Sequence, residues 1–346
     1  MDCHITHTIA EIGQETWDAL SGGRPFASYR WYCFGETVLA HDVPLYILLT
    51  ERGEPLARAA FWLRREEPLP VRSRPLRGLL EAMLRRWPLL VCRAPLASTS
   101  ALILPADPPR RDAALRMIWD AAWSFARQQR ASFLLFDYLE AEQVRWPGWP
   151  SGLATATMQE AGTCLSITWP DFESYLRQLP QSVRKDYRRH RNRAADLGIV
   201  VRDRPTVTAV DEALALIRRV ERHHGAAPNP WARGMLEHAD MVEATWLSAE
   251  IAERLVGCGL ILGDGGVWAL ALVGLDYEVQ YAYFQLVYAA LRCTIEKGGR
   301  LLRGGTGVYD IKLRLGFRLE EDTHVLFAGR GPLFRSLSRW AAKMEG

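Results

Sequence analysis

The sequence predicts a mixed α/β protein made of two similar domains, and three observations carry that reading. Strand pairs joined by tight turns alternate with amphipathic helices: Leu45–Thr50 and Leu56–Leu63 flank Arg52-Gly53-Glu54, and 255–262 and 267–277 flank Gly263–Gly266. The order hairpin, long helix, strand also occurs twice. RGEPLARAAFWL at 52–63 is echoed by AERLVGCGLIL at 252–262, and the helix leading into SFLLFDY at 132–138 by the helix leading into LLRGGTG at 301–307. Finally, 346 residues suffice for two ordinary domains. The punctuation WPGWPSG at 146–152 predicts a break there, giving domains 1–155 and 156–346.

Composition narrows the class. With 49% hydrophobic and 24% charged residues the chain reads as globular, not disordered or fibrous. A net charge of +3 does not by itself demand a nucleic acid. Cys3, Cys33, Cys92, Cys164, Cys258 and Cys293 lie far apart with no CxxC pair, which predicts free thiols and neither a zinc site nor a disulfide frame. The opening MDCHITHTIAEIG lacks a signal-peptide pattern, and no apolar run is long enough to span a bilayer. The expected location is the cytoplasm.

In the first half, Ile5–Ile12 reads as a strand and Phe26–Leu39 as a helix. In the arginine-rich stretch 64–93, Leu76, Leu79, Leu80, Met83, Leu84 and Trp87 share a helix face that Pro75 can open. A helix lying on its own domain explains this face better than a membrane surface does. Asp112–Gln129 is a helix with Leu115, Ile118, Trp119, Ala122 and Ala126 inward.

In the second half, Cys164–Trp169 reads as a strand and Asp171 as a helix cap. After Pro180 a second helix carries Arg184, Lys185, Arg188, Arg189, Arg191 and Arg193 around a seam of Val183, Tyr187, Ala194 and Leu197, and Gly198 ends it. Two readings stand: a phosphate-binding face for tRNA or a nucleotide, or a solvated surface helix. Asp211–His224 is helical. The adjacent His223 and His224 diverge and cannot chelate one metal. Asn229 and Pro230 open the next helix, with Trp231 as its anchor.

The stretch Tyr281–Phe317 is the most specific. Tyr283, Val287, Ala290, Leu291 and Thr294 mark a buried helix face, Gly298 and Gly299 end it, and Leu301-Leu302 supply a strand. Gly304, Gly305 and Gly307 then fit a bulge or a close approach of backbone and ligand. Tyr309, Asp310 and Lys312 follow. In the first half, Asp137 and Tyr138 stand where these glycines stand.

The close Tyr309, Lys312, Gly316, Phe317 resembles the Y-x-x-K-x-x-x-G-F of the FemAB-like branch of the GNAT acyltransferase superfamily. The segment Ser182–Ile199 is similar to that branch's S-x-R-x-x-x-R-R-x-x-x-x-A-x-x-x-G-I signature. The resemblance implies tandem GNAT-like domains, each a mixed central sheet flanked by helices, with transfer in the second. It implies an enzyme that forms an amide by N-acyl transfer, with no tightly bound cofactor. Lys312 would stabilise charge on the carbonyl or leaving group, and Asp310 or Tyr309 would accept the amine proton, with Asp276 a further candidate. The donor would meet Arg184, Lys185, Arg188, Arg189 and Arg191, and Gly304, Gly305, Thr306 and Gly307. The acceptor would meet His224, Trp231, Asp276 and Tyr283.

The superfamily's CoA loop, Q/R-x-x-G-x-G/A, is replaced by Tyr281-Ala282-Tyr283-Phe284-Gln285. That makes aminoacyl-tRNA the expected donor and tRNA the expected partner, with acyl-CoA as the alternative. The acceptor would be an amine of a small metabolite or cell-wall precursor. From another class, a non-catalytic RNA-binding protein would keep the arginine helix without needing Lys312 or the glycine turn.

Overall fold

In the computed structural model, which describes residues 1–68, 74–157, 160–331, 334 and 336, the apolar runs of the two halves each build a sheet. The first half supplies strands β1 (Asp2–Thr6), β2 (Val43–Glu51), β3 (Glu54–Arg64), β4 (Leu89–Cys92), β5 (Leu102–Ile103), β6 (Phe133–Leu139) and β7 (Ala154–Thr157). Its helices are α1 (Gln14–Ala19), α2 (Tyr29–Val38), α3 (Arg74–Arg86), α4 (Pro108–Gln128) and α5 (Ala141–Val144). The second half supplies β8 (Thr163–Ser166), β9 (Val200–Arg204), β10 (Glu243–Ile251), β11 (Arg254–Asp264), β12 (Val267–Leu275), β13 (Leu301–Gly305) and β14 (Arg318–Leu319). Its helices are α6 (Phe172–Gln178), α7 (Gln181–Asp196), α8 (Val210–His223), α9 (Ala232–Glu237), α10 (Ala282–Glu296) and α11 (Tyr309–Arg314). A last strand, β15 (His324–Gly329), follows.

The chain separates into two compact units, Met1–Gln159 with Glu321–Gly346, and Glu160–Glu320. This differs from a second domain running to residue 346. β15 pairs antiparallel with β6 on one side and β7 on the other, so the end of the chain belongs to the first unit. Without it both neighbours would present unpaired ladder groups. The first sheet runs β1-β2-β3-β4-β6-β15-β7, with β5 beside β3, and the second β14-β8-β13-β12-β11-β10-β9. Each contains one parallel pair among the described strands, β4 with β6 and β12 with β13.

The internal echo is visible strand by strand. β2 and β10 are nine residues long with the same sequence of exposed and buried positions, and β3 and β11 are eleven. Both hairpins carry an irregularity at the same place, between Leu49 and Thr50 and between Ala249 and Glu250. The opening strand stops at Thr6, not Ile12, because Thr8 caps a 3-10 turn at Ile9–Glu11. Of the apolar face expected on α3, Leu84 is buried while Leu79 is exposed. The Leu76 side chain and residues 69–73 lie outside the described residues.

In the second unit α6, α7 and α10 cover one face of the sheet. Phe172, Tyr175, Tyr187, Leu286 and Leu291 join Leu247, Val256, Ile261 and Leu302 in one core. α8 lies against β11 and β12 so closely that a Cβ on Gly274 would stand 2.8 Å from Leu216 Cβ and 2.6 Å from Cys258 Sγ. The six cysteines are free thiols. No group of three His, Cys, Asp or Glu among the described residues could hold a metal, and no described helix is long and apolar enough to cross a membrane.

Candidate active site

The parallel pair β12–β13 is short: Val267–Ala269 pair with Leu301–Arg303 and the strands then separate. β12 continues to Leu275 bonded only to β11, while β13 ends against β8. Among the described residues the facing edge of residues 270–275 therefore has no ladder partner on the β13 side. β12 is also irregular there: Leu272 lies opposite Leu260 and Leu270 opposite Ile261, leaving Ala271 as an extra residue that re-aims the backbone groups beside it. Gly257–Leu260 of β11 could not offer amides to a donor. Those residues are paired to β10 and β12 on both sides, and the open edge is on β12.

β13 leaves the sheet through the glycine turn. Gly304 falls at an irregularity against β8, where a Cβ would stand 2.8 Å from Thr163 Oγ1 and 3.0 Å from Phe317 Cε1. Gly305 and Gly307 have φ of +67° and +74°, and Val308 has +49°, a strained angle for a β-branched residue. Several bonds hold this turn. The Lys312 ammonium donates to the carbonyls of Gly305 at 3.2 Å and Thr306 at 3.1 Å, and the Thr163 hydroxyl donates to Gly305 O at 2.8 Å. The Tyr309 hydroxyl donates to Ala161 O at 2.9 Å and Tyr175 to Leu315 O at 2.8 Å, and Arg314 pairs with Asp186 of α7.

Lys312 is 5% exposed and has no carboxylate within 4.0 Å among the described residues. Burial lowers its pKa to about 8. Asp310 is exposed in the first turn of α11.

α7 presents three faces. Val183, Tyr187, His190 and Ala194 are its buried seam, whereas Leu197, expected there, is 46% exposed. His190 Nδ1 lies 3.0 Å from Tyr288 Oη and its ring packs on Phe284 at 3.9 Å. Burial lowers its pKa, and Arg189 adds to the effect. Sequence reasoning missed His190 because, within an arginine run, it reads as one more exposed cation. On one flank Arg189 pairs with Asp186 at 2.8 Å and Arg193 with Asp196 at 4.0 Å. On the other, Arg184, Arg188 and Arg191 line a cleft of about 180 Å³ with Glu173, Leu176, Arg177 and Tyr187. Lys185 is exposed and does not line it.

At the end of β12 a shallow cleft of about 390 Å³ is lined by Arg219, Arg222, His223, Asp276, Tyr277 and Glu278. Asp276 is 4% exposed and accepts from Arg219 at 3.2 Å and Arg254 at 3.0 Å. The His223 ring stacks on Tyr277 at 4.0 Å, and the Tyr277 hydroxyl meets His224 Nε2 at 3.3 Å. Burial raises Tyr283 to about 12. Of the four expected acceptor residues, His224 and Asp276 thus meet around Tyr277, while Trp231 precedes α9 and does not line this cleft. β12 and β13 run parallel, so this cleft and the glycine turn leave the same edge of the sheet.

In the first unit Arg93 and Asp137 stand just past the end of the parallel β4–β6 pair. Beside β4 and β6, Arg93 pairs with Asp137 and with Glu67 at 2.9 Å, and Arg64 pairs with Glu67 at 3.1 Å and Asp42 at 3.5 Å. Asp42 is raised to about 6 by burial. The glycine turn has no counterpart there.

Residues 181–313 match the family model of the acetyltransferase (GNAT) domain. A comparison with curated proteins finds no match. Among solved structures, the crystal structure of FemX superposes with a TM-score of 0.66 at 12% identity, covering 98% of this chain and 100% of that one. A tandem GNAT protein from the clavulanic acid biosynthesis pathway gives 0.54 at 12%, covering 96% and 99%. The C-terminal domain of a putative lysylphosphatidylglycerol synthetase from Agrobacterium fabrum gives 0.55 at 11%, covering 97% of both. At such identities the likeness is one of fold. Residues 181–313 match an acetyltransferase (GNAT) domain, and the chain as a whole shares its fold with a tandem GNAT protein.

Proposed function

We propose that the second unit forms an amide bond by moving an aminoacyl group from aminoacyl-tRNA to the amine of a small metabolite or cell-wall precursor. The observation that carries this reading is the opening between β12 and β13, bounded by a bulged strand with a free edge and by the turn that Lys312 holds. The acyl group lies along the free edge of β12 and the acceptor enters from the Asp276–Tyr277 end. The amine nitrogen attacks the acyl carbonyl, the C–N bond forms, and the ester C–O bond to the tRNA ribose breaks. Lys312, with a pKa near 8, stabilises the oxyanion and returns a proton to the leaving oxygen. Asp310 receives the amine proton through water. Asp276, held by two guanidinium groups, serves to orient, and Tyr309, bonded to Ala161, serves to position α11.

Two features support RNA as the donor. The cleft-facing arginines of α7 have no carboxylate within 4.0 Å among the described residues. The β12–α10 connection carries Asp276 and Glu278 and no glycine, a poor cradle for a pyrophosphate. The second reading, an acyl-CoA donor, is supported by the acetyltransferase family model. Neither donor is tightly bound. The test supplies each donor separately, with RNase added to one charged-tRNA sample. Transfer that RNase abolishes is expected, and RNase-resistant transfer that needs only a CoA thioester would overturn the RNA donor.

A further inference from the structure

The arginines of α7 are sorted by face. Taking the buried seam Val183, Tyr187, His190 and Ala194 as reference, Arg184, Arg188 and Arg191 each follow a seam residue by one position. They fall on the flank toward α6, where Arg177 joins them. Arg189 and Arg193 fall on the opposite flank and already have carboxylate partners. The four guanidinium groups of the α6 flank share a cleft of about 180 Å³ with a single carboxylate, Glu173, among its lining residues. Glu173 makes no ion pair with any of them within 4.0 Å.

The cleft is built as well as charged. Arg184 NH1 donates to Arg177 O at 2.7 Å, tying the start of α7 to the end of α6. Arg177 NH2 donates to Ser174 Oγ at 2.7 Å, and the Arg191 guanidinium lies over the Tyr187 ring at 5.9 Å from its centroid. Like charges gathered without counter-charge cost stability unless a ligand supplies it. Planar guanidinium forks pair bidentately with phosphates as they do with carboxylates, and the several oxygens of a phosphate can meet more than one fork at once.

We propose that the α6–α7 cleft is a phosphate-binding site, formed by Arg177, Arg184, Arg188 and Arg191 and excluding Lys185, Arg189 and Arg193. This deepens the donor reading and rests on it for the bearer of the phosphate, an RNA backbone or a nucleotide such as CoA. The site itself is tested without turnover. Inorganic pyrophosphate, a short RNA duplex and CoA are each titrated by calorimetry into the full chain at low salt. Saturable pyrophosphate binding is expected. Arg184→Glu, Arg188→Glu and Arg191→Glu should each weaken it roughly tenfold. Lys185→Glu and Arg193→Glu, equal in charge change but on other faces, should leave it within about twofold.

The RNA and CoA titrations identify the bearer, since the one that binds competitively with pyrophosphate is the source. Circular dichroism checks that each variant is folded, and Arg177→Gln repeats the test where a reversal fails to fold. No pyrophosphate binding to the wild type, or equal weakening by reversals on both flanks, would overturn the site. The second outcome would mean only a diffuse positive helix. Either failure leaves the transfer reading standing, because it rests on the β12–β13 opening.

Discussion

Lys312 is a cation buried among carbonyl oxygens with no carboxylate within 4.0 Å among the described residues. Its pKa is near 8 in the folded chain against 10.5 ordinarily, so between those values the unfolded chain binds more protons. The stability contribution is present above 10.5 and lost as pH falls through about 8. Denaturant unfolding of wild type and Lys312→Met should show the wild type gaining on the variant as pH rises across that window, by up to about 3 kcal/mol. A difference that is the same on both sides of the window would contradict a buried charge. The glycines separate by cause. Gly304→Ala forces a Cβ against Thr163 and Phe317 and should cost about 1–3 kcal/mol, whereas Gly305→Ala meets open space and pays only a left-handed angle, about 1 kcal/mol. Melting curves check the order, and a larger loss at Gly305 would mean that Thr163 and Phe317 yield.

At the scale of elements, α7 binds the second unit together through residues of opposite character. His190 sits neutral against Tyr288 and Phe284 while Asp186 on its flank reaches Arg314 of α11. Because the pKa of His190 is lowered, its stability contribution is present above its ordinary 6.5 and lost as pH falls through the lower folded value. His190→Phe should keep the ring packing and reduce the loss of melting temperature on acidification. A variant as acid-sensitive as the wild type would place that sensitivity elsewhere. The periodicity of α7 was legible in Val183, Tyr187 and Ala194. Which arginines face a cleft was not, because the seam does not say which flank meets α6. The hairpins and long helices were legible for the same reason as the seam, a sustained repeat. β4, β5, β7 and α5, at two to four residues, are too short to show one.

At the scale of the molecule, one supersecondary pattern is used twice with different fillings. In the second unit the place between the diverging strands is left open beside glycine. In the first, Arg93 and Asp137 pair just past the parallel strands β4 and β6. The substitution of Asp137 and Tyr138 for the glycine cluster was readable in the sequence, and the ion network was not, since its members span residues 42 to 137. Nor could the sequence show that β15 returns to the first sheet, because an isolated apolar run does not name its partners. A chain ending at Glu320 removes that strand from between β6 and β7. Calorimetry should then show the first unit's transition lost or lowered and the second unit's retained, and an unchanged trace would contradict the assignment.

Transfer at the turn that Lys312 holds is tested most directly by the pH dependence of turnover with the competent donor for wild type, Lys312→Arg and Lys312→Met. Wild-type turnover should fall as pH rises above about 8, where Lys312 loses its proton. The arginine variant, which keeps the charge but cannot return a proton, should turn over more slowly without that fall above pH 8, and the methionine variant should lose on the order of a hundredfold. A folded methionine variant that turns over at the wild-type rate with the wild-type pH profile would remove Lys312, and the turn it holds, from the chemistry.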